Sequence, residues 1–449
     1  MRQGSQRIAG IIAAVLVAGA AGPAAAQAPP APRALTLTDA LTIGLRDNQQ
    51  LRIAAFEVAI ARAQLAQARG LKAGTVTVQG TYTRVPETGP ITIVFVSHGV
   101  LHTLVLPAPS PNLFDLRLVL QYPLYTGGRI EAQIALAEAS VKGAEAALER
   151  VKVQIIYDVR QAYYRLLLAQ AGADVADRTV ALAAESLRVA KARVSAGAAA
   201  RFDEVQAEVN LATARQSQVR ARTAIAQASH ALAAVLSLPL DTPLILRDGF
   251  STEPVSTPLD RLIARALDAR PELAELRARQ AAAQAAIALA ESGAKPTVGL
   301  NGVASYGNSG GFLAGTTASG NWSITLAGTL NLYDGGITRE RVKEAQLRLE
   351  QLKAAEVLQR QGIELDVRLA SLTLQSAREE LAGADALVTQ AREALRIAQV
   401  RFEAGVGITL EVLSAQTNAS QAEVARAQAL YAYSVALAAL ERAVGAPVQ

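Results

Sequence analysis

Residues Asn331 to Arg339 read NLYDGGITR. An alternation of apolar and polar residues stops there at two glycines, and a helical pattern more than sixty residues long begins. The same corner occurs once before. Tyr125 to Arg129 read YTGGR, again after an alternating run and before a very long helical pattern. Glycine lets a backbone turn through conformations that a Cβ obstructs. Gly127, Gly128, Gly335 and Gly336 therefore mark two strand-to-helix corners.

The corners belong to a duplication. At an offset of 208 positions, Tyr125–Gly128 falls on Tyr333–Gly336 and Asp158–Arg160 falls on Asp366–Arg368. The segment RVSAG (Arg193 to Gly197) falls on RFEAG (Arg401 to Gly405), and Pro239 falls on Pro447. That period is far too long for a solenoid unit. Upstream of the corners the offset is 222, aligning Leu45 with Leu267 and Leu51 with Leu273. The first half is thus about 14 residues longer, and the surplus falls in Pro90 to Asn112, a turn-punctuated apolar segment. This divides the chain into a first repeat over 27–239, a linker over 240–258 and a second repeat over 259–449.

Each repeat reads helix, strand, loop, strand, corner, very long helix, glycine turn, returning helix. The strands are expected near 75–85, 113–124, 297–306 and 321–333. In the second, Phe114, Leu116, Leu118, Leu120, Tyr122 and Leu124 take one face and Asp115, Arg117 and Gln121 the other. In the fourth, Trp322, Ile324, Leu326, Leu330 and Leu332 oppose Ser323, Thr325, Thr329 and Asn331. Each strand has about the ten residues that cross a bilayer when tilted. Phe114, Tyr122, Trp322 and Tyr333 stand where interfacial aromatic girdles would lie. A soluble sheet with one buried face would alternate in the same way.

The helices carry a stricter pattern. Val367, Ala370, Leu374, Ala377, Leu381, Ala384, Val388, Ala391, Leu395 and Ala398 are spaced three and four apart without a break. The first repeat does the same from Val159 to Ala190. A sustained 3.5-residue period specifies a left-handed supercoil. From Thr338 to Arg401 the helix would run roughly 95 Å, which no compact domain contains. It must belong to a coiled coil or a tube wall.

Compartment is read from the first residues. Arg2 and Arg7 precede an apolar core from Ile8 to Ala21, and Ala24-Ala25-Ala26 forms a small-residue cleavage site. This predicts a signal peptide over 1–26. Its removal takes away two arginines and no acid, so the formal charge falls from +5 to +3. So small a surplus, with no basic block, points to no nucleic acid. With no cysteine there is no disulfide framework, thiol nucleophile or thiolate metal site. After the leader no apolar run spans a bilayer as a helix, so entry into lipid must be as strands of a closed barrel. Four strands cannot close, and known single-chain membrane barrels begin at about eight. Copies must pool their strands.

With its duplication, its two Y-x-G-G corners and the turn motif RFEAGVGITLEVLSAQ (Arg401 to Gln416), the chain resembles the TolC-like outer-membrane efflux channel family. The resemblance covers about Leu37 to Pro447. It implies a fold that is mainly α with membrane β, in which each subunit gives four strands to a trimeric barrel. Long coiled-coil helices would continue the barrel as a periplasmic tunnel. It also implies a homotrimer in outer-membrane lipid, docked to a periplasmic adaptor and an inner-membrane transporter. The chain would then be the passive exit duct of a tripartite efflux or type I secretion system, with no cofactor.

The same resemblance implies a periplasmic mouth at the hairpin tips, about 195–203 and 403–411, with an acidic constriction. The acidic position six residues past the turn glycine matches Glu411, and its repeat-mate is Asp203. Ser414 stands where some members carry a second acid. Phe402 matches an aromatic gate position, and Gly197 and Gly405 are the turn glycines. Gly407 stands where some members place an arginine, which puts an arginine-linked closed state in doubt. A ring of carboxylates in a narrow pore favours cations. Glu411 and Asp203 also read as helix-start acids that complement the macrodipole.

Two other classes are weighed. An enzyme finds little support: His98 and His102 lie four apart in a β-like loop, His230 is alone on an Ala-rich helix, and no phosphate loop or zinc spacing appears. A periplasmic coiled-coil adaptor or scaffold would have no use for four bilayer-length strands. Asp158, Arg160, Asp366 and Arg368 read as interhelical salt bridges.

Overall fold

The computed structural model describes residues 33–449 except Pro107, Pro109, Glu253, Ser309–Thr317, Gly405 and Gln449. The expected leader lies outside the described residues. In chain order the elements are β1 (Arg33–Leu35), α1 (Leu37–Asp47), α2 (Gln49–Gly70), β2 (Thr75–Arg84), β3 (Ile91–Ser97) and β4 (Val100–Leu106). There follow β5 (Asn112–Tyr125), α3 (Arg129–Ser195), α4 (Arg201–Val235) and β6 (Leu244–Leu246). The second half supplies α5 (Leu259–Ala269), α6 (Pro271–Glu291), β7 (Thr297–Gly307), β8 (Ser319–Thr329), α7 (Ile337–Glu403) and α8 (Thr409–Val444).

The repeat is written into these bounds. Helices α3 and α7 each have 67 residues, and both their ends differ by 208 positions. At about 1.5 Å per residue each runs about 100 Å. Neither is held by intrinsic amphipathicity alone. Each packs along its returning helix, α3 on α4 and α7 on α8, while α3 also meets α6 and α8. All ten positions of the heptad from Val367 to Ala398 are buried or half-buried, with Val367 fully so. Two main apolar clusters form at corresponding places. One gathers Ile155, Val159, Tyr163 and Leu166 with Leu232 and Leu236. The other gathers Ile363, Val367 and Leu374 with Tyr433, Leu437 and Leu440.

Strands β2, β5, β7 and β8 make one antiparallel sheet in that order. Within each repeat the hairpin register is identical under the two offsets: Thr75 pairs with Gln121, and Thr297 with Thr329. Strand β5 joins the repeats by pairing with β7, from Asp115 opposite Gly307 to Tyr125 opposite Val298. The outer edges of β2 and β8 carry no partner among the described residues.

One expectation needs correction. The fourth strand, expected to run to Tyr333, ends at Thr329. The cause is partner length: Thr329 faces Thr297, the first residue of β7, so nothing remains for residues 330–333 to pair with. Strand β5 reaches its own corner because β7 supports it on the other side. Within the segment from Pro90 to Asn112, whose structure the sequence leaves open, residues Ile91–Leu106 form a regular hairpin, β3 with β4. Its turn is built on His98 and Gly99, both at positive φ.

Of the anticipated interhelical ion pairs, half are so arranged. Arg160 on α3 meets Glu441 on α8, and Asp366 on α7 lies 3.2 Å from Arg270 at the start of α6. Asp158 accepts instead from Gln154, and Arg368 reaches Glu364, each on its own helix.

Candidate functional site

The sheet has two chemically distinct faces. Reading across the four strands, Val76, Leu120, Gly302 and Ile324 lie side by side, as do Val78, Leu118, Ala304 and Trp322. The opposite face carries Gln79, Arg117, Ser305 and Asn321 in one row. Its charges cancel locally, because Arg117 contacts Asp115. The apolar face is not covered by the chain's own helices: Val78, Leu118, Trp322 and Ile324 are all exposed. A soluble sheet would bury this face. One apolar wall and one polar wall on bilayer-length strands are what a barrel between lipid and a watery lumen requires.

The corners lie at the ends of β5 and β8 nearest the long helices. Gly127 and Gly128 have φ of 65° and 87°, and Gly335 and Gly336 have 68° and 86°. The second glycine of each pair is the N-cap of its long helix. Neither can cap with a side chain, so the residue before each pair supplies the acceptor. Ile130 N donates to Thr126 Oγ1 at 3.3 Å in the first corner. In the second, Thr338 N and Gly336 N donate to the Asp334 carboxylate at 2.8 and 3.0 Å. These bonds, led by the Thr338 hydroxyl, hold the Asp334 carboxyl below its usual pKa.

The two hairpin tips are at the far ends of α3 and α7. At the first, Gly197 has φ of 72° and Ala198 N closes the turn on Arg193 O at 2.8 Å. At the second, Val406 N and Gly407 N both donate to Arg401 O, at 3.0 and 2.9 Å. Gly405 lies outside the described residues. A Cβ on Gly407 would stand 2.9 Å from Phe402 N and 3.1 Å from Arg401 C. Backbone atoms cannot yield, so this tip conformation accepts no side chain at 407.

Glu411 sits in the first turn of α8 and Asp203 in that of α4. The Glu411 carboxylate faces Arg401 Nε at 3.7 Å, and its side chain is 45% exposed. The two tips differ here. Arg193, repeat-mate of Arg401, does not turn to its own hairpin; its guanidinium lies 4.1 Å above the Phe402 ring. Its Nη2 also approaches Phe402 O at 3.4 Å. Sequence reasoning placed Phe402 at the gate but missed Arg193 as its contact. The repeat pairs Arg193 with Arg401 and says nothing about which hairpin each one reaches.

Above the tips, α4 and α8 flank α3 and leave a groove of about 800 Å³. Apart from Arg165, its floor and walls carry uncharged residues, many of them small, among them Ala169, Gly172, Thr179, Asn210, Ser217 and Ser420. No metal-binding cluster of His, Cys, Asp and Glu occurs among the described residues. His98 and His102 stay apart from other ligands; His102 stacks on Phe95 with ring centroids 5.5 Å apart.

One strand hairpin, one glycine corner and one helical hairpin, repeated once, divide the chain as a family comparison also does. The model of outer membrane efflux proteins matches residues 42–237 and 262–446, one segment per repeat.

The chain belongs to the outer membrane efflux protein family.

This efflux protein is 27% identical over 337 residues to outer membrane protein OprJ of Pseudomonas aeruginosa, covering 72% of this chain and 68% of that one. It is 24% identical over 317 residues to TolC of Vibrio cholerae, covering 69% and 72%. The cobalt-zinc-cadmium resistance protein CzcC of Cupriavidus metallidurans is 25% identical over 340 residues, covering 73% and 78%. Among solved structures, the outer-membrane channel OprN superposes with a TM-score of 0.74 at 23% identity, over 92% of this chain and 90% of that one. CusC superposes with 0.75 at 20% identity, over 91% and 92%. These likenesses show the fold, helical with a small membrane sheet. No helix among the described residues is long and apolar enough to cross a membrane.

Proposed function

We propose that three copies of this chain form one continuous duct, a shared β-barrel in the outer membrane prolonged by a helical tunnel across the periplasm. The observation that carries this reading is the pair of open edges on an amphipathic, bilayer-length sheet. An open edge is not tolerated in lipid. The repeat supplies the partner: if β8 meets the next copy's β2 as β5 meets β7, Thr325 falls opposite Thr83, the image of Arg117 opposite Ser305. Two copies would give eight strands, a barrel whose interior side chains fill it; three leave a lumen. The polar face then lines that lumen and the apolar face meets lipid.

The duct is passive. Its cargo passes from an inner-membrane transporter through a periplasmic adaptor docked at the tips and along the groove between α4 and α8. Small residues there allow a partner helix to approach closely, as Ala and Gly do wherever helices pack tightly. The names of relatives range from cobalt-zinc-cadmium resistance to toluene efflux, a spread that suits a conduit that need not bind what it carries. The carboxylates of Glu411 and Asp203, one set of three at each level, would set the ion preference of the mouth.

The chain has no cysteine, which makes the test direct. With Thr83→Cys and Thr325→Cys in one chain, oxidation of outer membranes should give a ladder ending at a covalent trimer. A chain that stays monomeric, while each cysteine still reacts with a soluble maleimide, would refute the shared barrel.

A further inference from the structure

Among the described residues, the first repeat carries one element that has no counterpart in the second and that the duct does not require, the β3–β4 hairpin. It leaves the sheet beyond Arg84 and Asn112, the ends of β2 and β5 farthest from the helices. Given the barrel proposed above, on which this inference rests, that is the outer mouth. Between Glu87 and Asp115 the chain has no Asp, Glu, Lys or Arg. Both faces of the hairpin are apolar. Phe95 and Leu104 project from one, Val94, Val96, Leu101 and Val105 from the other, and all six are exposed. The principal contact of β3 and β4 is with each other.

Three physical conditions restrict what covers it. Water is a poor neighbour for either face, since a flat apolar hairpin with free edges is an aggregation site. Lipid satisfies the faces but leaves both outer edges of the hairpin with unpaired N–H and C=O groups. A second copy satisfies faces and edges alike, and the barrel brings copies within reach. Twelve strands spaced about 4.8 Å and tilted about 40° enclose a radius of roughly 12 Å. Seven residues at about 3.3 Å each extend roughly 23 Å, enough to reach the axis from the rim. We propose that the three hairpins lean over the outer mouth and pack on one another as an apolar cap that restricts the open barrel.

The test uses the full-length protein in outer membranes. Val96→Cys, labelled with a thiol-reactive benzophenone and irradiated, should capture a second copy of the chain. The Thr83→Cys/Thr325→Cys pair serves as the control for the barrel seam. Capture of lipid or of a different protein by the probe at 96, with the seam ladder intact, would overturn the cap. Failure of the seam ladder would overturn the shared barrel and the cap with it. In planar bilayers, Phe95→Asp with Leu101→Asp should raise single-channel conductance several-fold while leaving the trimer intact. Unchanged conductance from intact trimers would also overturn the cap.

Discussion

Arg150 on α3 and Glu275 on α6 lie 3.5 Å apart, whereas their images under the repeat, Leu358 on α7 and Ile53 on α2, are 71% and 61% exposed. In the closed tube proposed above, the next copy's α2 would take the place on α7 that α6 takes on α3. The contact that is ionic within a chain would then be apolar between chains. Burying a leucine contributes about 1.5–3 kcal/mol, while a surface ion pair contributes about 0–1. Leu358→Arg should therefore lower the melting temperature of the trimer, measured by its heat-induced dissociation on gels. Adding Ile53→Glu should restore part of the loss and no more.

The corner makes a sterically sharp prediction. Positive φ is barred to β-branched residues, so Gly335→Val with Gly336→Val should abolish assembly. Gly127 is tighter still, because a Cβ there would stand 2.8 Å from Lys295 Cβ. Gly127→Ala should reduce trimer yield more than Gly128→Ala, which meets nothing within 4 Å. Trimer yield in detergent extracts measures both.

Asp334 ties the second corner to pH. Its carboxyl is held below the ordinary value of 3.8 by the Thr338 hydroxyl first, then by the backbone N–H groups of Thr338 and Gly336. A depressed folded value contributes stability that is present above 3.8 and is lost as pH falls through that lower value. Melting temperatures of wild type and Asp334→Asn should converge as pH falls through that window. At neutral pH the variant should melt lower.

Arg193 over Phe402 joins the two tips of one chain. An exposed cation–π contact contributes about 0.5–1 kcal/mol, a factor of about two to five in a closed-to-open ratio. Arg193→Gln and Phe402→Leu should each raise open probability in planar bilayers by that factor. The double variant should do no more than either alone.

Glu411 has Arg401 beside it, which sets the sign of two effects on ion preference. Glu411→Gln should weaken cation selectivity, read from reversal potentials in a salt gradient. Arg401→Gln should strengthen it by leaving the carboxylate unpaired. Should Glu411 serve only as a helix-start acid, selectivity stays fixed and stability falls by about 0.3–1 kcal/mol.

The sequence displayed whatever depends on short-range pattern. The heptad from Val367 to Ala398 and the corner glycines are local signals, and the duplication doubles each of them. Strand ends were less legible, because Thr329 stops β8 through the length of its neighbour β7, a tertiary fact. The hairpin from Ile91 to Leu106 was hidden by its composition: with both faces apolar it shows no alternation to read. At the tips, Glu411 and Phe402 stood out by position, but the partner of Arg193 depends on how two hairpins sit against each other. Nothing local encodes that.

Helices α3 and α7 are unbroken hydrogen-bonded rods of 67 residues apiece, and each begins at a glycine pair. Such a rod sets its tip about 100 Å from the corner. At the corner it meets two residues without side chains, whose backbone reaches conformations that a Cβ obstructs. Any rotation of the lower end therefore meets its most permissive backbone at that pair, ahead of the hydrogen-bonded strands.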